Sequence, residues 1–322
     1  MPICTGRGMK PALPVALWSA VPTPLTPALT VDEASVARLI EASVRDGVEG
    51  LFVGGTCGEG PWLPDRERRR LMEAAVRCAG GRLKIAAQVS DNSVPRVLDN
   101  MAVAAAAGVD IAIIAPPATM LNATADRVTG FFVEAASRSP LPVGIYDLGK
   151  LRPVMIPDDR LKEVYLVPQV VLVKDSSGAP ERRALALAAR AAKPALRLLN
   201  GDEFRCLEYL IAGYDGCMFG GAVAVMPQLR RIAALWAAGQ IADAASVEAE
   251  MKEALYGIYG GKAIACWLTG LKHYLVCRGV FASSANFLGY PLTAECREFI
   301  ERYAIAGEAA APHRVGAALA PT

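Results

Sequence analysis

The feature that most constrains this chain is a regular alternation of short apolar runs with helical patterns. Val15 to Val21, Val48 to Val53, Leu83 to Val89, Val109 to Ala115, Pro142 to Tyr146, the run from Val170, Ala195 to Leu199 and Gly216 to Phe219 all read as buried strands. Each is followed by a helical stretch. The first starts at Val31-Asp32 with Val36, Leu39, Ile40 and Val44 at helical spacing. The others cover Pro64 to Ala79, Val94 to Ala107, Ala125 to Ser137, Pro157 to Val164, Pro180 to Ala192, Phe204 to Ala212 and Pro227 to Ala238. Eight such units, each roughly 25–30 residues, have the number and size expected of a (β/α)8 TIM barrel. A doubly wound open sheet is the competing fold. Against it, no G-x-G-x-x-G opens the first helix and the units are uniform in size.

The pattern stops near Gln240. Ile241 to Leu255, Ile264 to Cys277 and Thr293 to Ile305 read as helices without strands between them. The expected organisation is a barrel over residues 12–240, a C-terminal helical extension over 241–306, and a mobile tail over 307–322, which is rich in Ala, Pro and Gly.

Composition narrows the setting. The chain has 322 residues, is 53% hydrophobic and carries a net charge of +2, with no dense Lys/Arg stripe. No nucleic-acid partner is expected, and no apolar stretch is long enough to span a membrane. Arg7 and Lys10 precede an apolar stretch as a signal peptide would, but prolines interrupt it. Eight cysteines are scattered without a C-x-x-C pair, which fits a reduced, cytoplasmic setting. The only histidines are His273 and His313, both late in the chain, so neither a histidine-rich metal site nor a histidine base is expected.

The candidate chemistry lies at strand ends. Val170-Val171-Leu172-Val173 runs without a break into Lys174, then Asp175-Ser176-Ser177-Gly178 turns the chain into a helix. In a barrel, the C-terminal ends of the strands carry the active site. A lysine leaving an apolar strand there is a poorly hydrated amine, suited to forming a Schiff base with a carbonyl substrate. Lys174 could also reach solvent or pair with Asp175. Strand two would face strand six across the mouth, placing the glycine-rich Gly54 to Gly60 opposite Lys174. Its backbone N–H groups can hold an anion, so the pair suits a short 2-oxo acid. Tyr146, ending strand five, is placed to move a proton on the carbinolamine if its neighbours adjust a pKa near 10. Thr56 could relay that proton. Glu59, Asp147, Asp175 and Asp202 are the acids near the mouth.

Gly55-Thr56-Cys57-Gly58-Glu59, Ile145-Tyr146-Asp147 and Lys174-Asp175-Ser176-Ser177-Gly178 together resemble the dihydrodipicolinate synthase/N-acetylneuraminate lyase family. Ala20-Val21-Pro22-Thr23-Pro24-Leu25 and Asn200-Gly201-Asp202-Glu203 resemble it too, and the likeness covers about residues 15 to 305. It implies a class I aldolase mechanism without metal or cofactor, on pyruvate or another 2-oxo acid and an aldehyde, in a homo-oligomer, usually a tetramer. By resemblance Lys174 forms the imine, Tyr146 is the acid/base and Thr56 sits in the relay. Gly55 and Cys57 hold the carboxylate, and Gly201, Asp202, Met218 and Arg152 line the substrate site.

The chain also departs from the family. Cys57 stands where threonine is common, and Tyr146-Asp147-Leu148-Gly149 replaces Tyr-Asn-x-Pro. The arginine that follows the tyrosine in synthases has no clean counterpart, Lys150 and Arg152 being nearest. The tyrosine that synthases carry after strand four is missing from Pro116-Pro117-Ala118-Thr119. The expected activity is therefore aldol cleavage of a 2-keto-3-deoxy sugar acid. The alternatives are synthase condensation of pyruvate with aspartate semialdehyde, a dehydratase using the same imine, or a non-catalytic carboxylate-binding barrel.

Overall fold

The computed structural model describes residues 15–309. The barrel's expected start at residue 12, the basic residues Arg7 and Lys10, His313 and the tail beyond Ala309 lie outside them.

Eight parallel strands close into one ring in chain order: β1 (Ala16–Ser19), β2 (Gly50–Val53), β3 (Lys84–Gln88), β4 (Ile111–Ile114), β5 (Val143–Asp147), β6 (Val170–Asp175), β7 (Arg197–Asn200) and β8 (Gly216–Phe219). Between them run α1 (Glu33–Arg45), α2 (Asp65–Ala79), α3 (Val94–Ala107), α4 (Ala125–Ser137), α5 (Leu161–Tyr165), α6 (Pro180–Ala192) and α7 (Cys206–Ala212), and α8 (Ala222–Ala237) follows the last strand. This is a TIM barrel. Local chemistry sets the helix ends: Asp32 caps α1 by accepting from Ser35 N–H, and prolines stand in the first turns of α3 and α6. Helix α8 joins two helical pieces across a kink at Val225, and the longer piece starts beside Pro227, as the sequence leads one to expect.

The extension is α9 (Ile241–Ile258), α10 (Trp267–Cys277) and α11 (Ala294–Ala309). Helix α9 packs along α8, and α11 packs on α9 and α10. The first residues assigned to the tail, up to Ala309, are helical. No helix among the described residues is long and apolar enough to cross a membrane.

Successive strand residues face opposite sides of the ring. One apolar cluster, including Leu51, Ile85, Ala87, Ile114 and Val173, lies between barrel and helices. A second fills the interior, including Trp18, Phe52, Ala86, Ile113, Leu172, Leu199 and Met218. One irregularity decides the fate of the key strand. Val143 pairs with Val170 but Gly144 pairs with Leu172, so β6 carries Val171 as an extra residue. Val170 packs outward, and Val171 and Leu172 both pack inward. Strict alternation from Val170 would have turned Lys174 outward. The bulge reverses the parity and points it into the barrel.

Candidate active site

Strand tilt brings side chains from alternate strands to one height, so a barrel interior is filled in layers of four. The strand register places Phe52, Ile113, Lys174 and Met218 in one layer. Toward the C-terminal ends, the next layer holds Ala20, Gln88, Tyr146 and Gly201, and the one above it Gly54, Ala115, Ser176 and Gly220. Below Lys174 the interior is packed with large apolar side chains. Above it, five of the eight positions are glycine or alanine, a sixth is serine, and the barrel opens into a mouth.

Lys174 is only 4% exposed. Its register partner on β5 is Tyr146. The Lys174 Nζ lies 3.7 Å from the centre of the Tyr146 ring and 5.2 Å from that of Phe52, and the two rings meet edge to face at 5.9 Å. Burial by itself pushes the Tyr146 phenol up. The Lys174 charge, together with the facing Lys174, Thr56 and Ser176 groups, outweighs it and holds the phenol below its ordinary value. A side chain at Gly201 would collide with Ser176 Oγ and stand 3.1 Å from Lys174 Cε. Only glycine there lets the lysine and serine side chains take these positions.

The glycine-rich loop folds back on itself. Glu59 N–H donates to Thr56 O and Gly60 N–H to Gly55 O, each at 3.2 Å, and Thr23 Oγ1 donates to Gly58 O at 2.5 Å. No described residue accepts from the Thr56 or Cys57 N–H. A Cβ at Gly60 would run into Gly54 O, so the turn cannot close with any other residue there. Burial and the nearby Glu203 carboxylate push the Cys57 thiol up, which keeps it neutral.

Glu59, an acid expected at the mouth, is instead fully buried behind the loop. It is ion-paired with Lys272 of α10, which is also fully buried. Glu59 Oε2 accepts from Phe287 N–H at 2.6 Å and Lys272 Nζ donates to Ala285 O at 2.7 Å. The extension therefore anchors the anion loop from outside the barrel. Burial pushes the Lys272 amine down against the pull of Glu59. Lys272→Met, which strands a buried carboxylate, is expected to cost about 3–5 kcal/mol in denaturant unfolding and to raise the KM for a 2-oxo acid. A cost below about 1 kcal/mol would make the pair no better than a surface one.

Asp147 and Asp175 face outward as well. Arg182 grips Asp147 with two bonds of 2.9 Å, and the Tyr165 hydroxyl donates to it at 2.9 Å. The departure from Tyr-Asn is thus matched by a buried arginine. Tyr214 donates to Asp175 at 2.7 Å. Burial and the like charge of Asp147 raise the Asp175 carboxyl, in spite of bonds from Ser177 and Tyr214. These bonds lock the ends of β5 and β6, and with them Tyr146 and Lys174.

The remaining expected residues divide. Met218 is fully buried in the interior cluster, as floor beneath the mouth. Asp202 is used by its own loop, accepting from Phe204 N–H at 3.0 Å and pairing with Arg205 at 3.4 Å. Arg152 extends along the exposed loop after β5, its Nη1 donating to Leu151 O at 3.4 Å. The structure brings neither Asp202 nor Arg152 into contact with Lys174 or Tyr146. Loop capping and an extended backbone at Arg152 are the reasons.

Two residues near the mouth escaped the sequence reading as site residues, and a third entered it only as part of a motif. Ser176, read only as a turn residue, has a buried hydroxyl with no partner. Gln88, the last residue of β3, is 8% exposed, with its amide oxygen unpartnered. Glu203, the last residue of the Asn200-Gly201-Asp202-Glu203 motif, accepts from Gly221 N–H at 2.8 Å. Burial pushes its carboxyl up, only partly offset by that bond and by the facing Tyr259 hydroxyl. A polar residue at the C-terminal end of the strand, after Ile85-Ala86-Ala87, was the signal for Gln88.

Comparison with known proteins agrees with this geometry. A family model described as the dihydrodipicolinate synthetase family matches residues 14–298. The chain is 28% identical over 244 residues to a 4-hydroxy-tetrahydrodipicolinate synthase of Symbiobacterium thermophilum, covering 76% of this chain and 82% of that one. It is 30% identical over 214 residues to the Salinibacter ruber protein of the same name, covering 66% and 67%. Among solved structures it is similar to YagE from E. coli K12, a prophage protein of the dihydrodipicolinic acid synthase family determined with pyruvate. That likeness has a TM-score of 0.81 at 19% identity, covering 92% of this chain and 99% of that one.

Proposed function

This chain belongs to the dihydrodipicolinate synthetase family of Schiff-base lyases, and from that premise we propose that it cleaves a 2-keto-3-deoxy sugar acid into pyruvate and an aldehyde through an imine on Lys174. The observation that carries this reading is Lys174 packed against Tyr146 in the interior, across the ring from a glycine-rich loop whose Thr56 and Cys57 N–H groups have no acceptor among the described residues.

The substrate carboxylate sits on the Thr56 and Cys57 N–H groups, which presents C2 to Lys174 Nζ. The amine adds to C2, and Tyr146 delivers a proton to the oxygen, which leaves as water. The iminium then draws electrons from the C3–C4 bond as the C4 hydroxyl gives up its proton. That bond breaks, the aldehyde departs, and the resulting enamine is protonated at C3. Water adds to the imine and releases pyruvate. Tyr146 serves both proton transfers on the oxygen, with the Thr56 and Ser176 hydroxyls facing its phenol.

The substrate class is supported by the small residues above Lys174 and by Ala118 and Thr119, which are exposed where synthases carry a tyrosine. A second reading, synthase condensation of pyruvate with aspartate semialdehyde, has the names of the relatives in its favour. Steady-state kinetics with both substrates separate the two. We expect retro-aldol cleavage of a sugar acid and weak synthase turnover. A synthase kcat/KM of about 10⁴ M⁻¹s⁻¹ or more, the lower edge of ordinary enzyme efficiency, with no sugar acid cleaved, would assign the chain to the second reading.

A further inference from the structure

We propose that Gln88 selects the aldehyde half of the substrate, its side-chain amide bonding a hydroxyl of a polyhydroxylated aldehyde. This rests on the reaction proposed above and adds the residue that reads the second substrate.

Gln88 shares the inward face of β3 with Ala86, while Ile85 and Ala87 face the helices. The register puts it in the same layer as Tyr146, directly above the layer of Lys174. The other two members of its layer are Ala20 and Gly201, so the space there is bounded by a phenol and an amide. Its register partner on β4 is Ile113, and Ala86, two residues before it on β3, lies in the same interior apolar cluster, so neither offers its amide a hydrogen bond from a side chain. The carboxamide is therefore enclosed, 8% exposed, and its oxygen finds no partner in the protein.

A buried amide oxygen without a partner is costly, and native interiors rarely leave one so. A lone core glutamine would be a liability on this strand, whose other interior position is alanine. At the rim of a reaction chamber it becomes a receptor. The carboxylate cradle follows β2 and the imine forms on β6, so neither end of the 2-oxo acid needs Gln88. What remains is the part of the substrate beyond C3. A carboxamide is neutral and both gives and accepts hydrogen bonds. It suits a hydroxyl, and it has no charge to hold a carboxylate or an ammonium group. A site that bonds a substrate hydroxyl rejects the analogue lacking it far more strongly than an apolar site would.

The test runs the reaction in the aldol direction with pyruvate and either D-glyceraldehyde, D-erythrose or propanal. The unaltered enzyme should prefer the hydroxyaldehydes to propanal. Gln88→Leu, close in size and apolar, should lower the ratio of kcat/KM for hydroxyaldehyde over propanal by about 10–100-fold. Gln88→Glu, which keeps an acceptor, should retain more of that ratio than the leucine variant. Borohydride labelling of Lys174 with pyruvate checks that each variant is folded and forms the imine. Propanal consumed as readily as the hydroxyaldehydes by the unaltered enzyme would overturn the proposal. So would a leucine variant with an unchanged ratio, or one that loses both aldehydes equally. Failure of the unaltered enzyme to label at all would instead remove the imine reaction on which the proposal rests.

Discussion

Treated with pyruvate and sodium borohydride, the protein is expected to gain the mass of a reduced adduct on the peptide carrying Lys174, and Lys174→Arg to gain none. This is the largest effect expected of any single change. The lysine is buried, its side chain is fixed between the Phe52 and Tyr146 rings, and a glycine at 201 is required to accommodate it. Arginine keeps the charge and can still lie over the rings. Its guanidinium stays protonated at any working pH, so it has no electron pair to add to a carbonyl. The variant should therefore fold, bind the 2-oxo acid weakly through the loop, and show no turnover. Peptide mapping by mass spectrometry reads the result. An adduct on any other lysine, or turnover surviving in the arginine variant, would remove the imine mechanism.

The second large effect is on Tyr146. Tyr146→Phe keeps the ring against Lys174 and Phe52, so packing changes little, but it deletes the only phenol in the layer above the amine. General acid–base catalysis is worth on the order of 10²–10⁴ in rate, and kcat should fall by that much. The pH profile supplies an independent readout. Because Lys174, Thr56 and Ser176 outweigh burial and hold the phenol below its ordinary value, it loses its proton at a lower pH than a free tyrosine. Steps that need the phenol as an acid fail as pH rises through that lowered pKa. The basic limb of the kcat/KM profile should accordingly lie below pH 10, the ordinary tyrosine value, and should vanish in the phenylalanine variant. A loss under about tenfold, or a basic limb that persists unchanged in the variant, would reduce Tyr146 to a packing residue.

Both predictions turn on residues legible in the sequence, and the reason they were legible is local. Strand and helix periods, glycine turns and a charged residue at the end of an apolar run are properties of neighbouring residues. They were enough for the eightfold alternation, for the exact spans of α3 and α4, and for placing Tyr146, Lys174 and the Gly54 to Gly60 loop at one mouth. The helix start expected at Pro227 likewise falls just after the kink at Val225, where the longer piece of α8 begins.

Whatever depends on parity or on distant partners could not be read from the chain. Val170 to Val173 is apolar throughout, so nothing in it tells inward from outward positions. The bulge at Val171, formed only against β5, decides that Lys174 faces the interior. Glu59 and Lys272 lie far apart in sequence, and only packing of α10 behind the loop pairs them and takes Glu59 away from the mouth. Asp147 likewise turns from an expected site acid into the partner of Arg182, because the last residue of β5 points outward. Gln88 and Ser176 become site candidates through closure of the ring, which stacks them above Lys174, Ser176 facing the Tyr146 phenol and the Gln88 amide oxygen without a partner. The sequence by itself determined the elements, their order and the candidate residues at their ends. The register of the closed barrel decided which side chains meet, since a shift of one residue along a strand exchanges inside for outside.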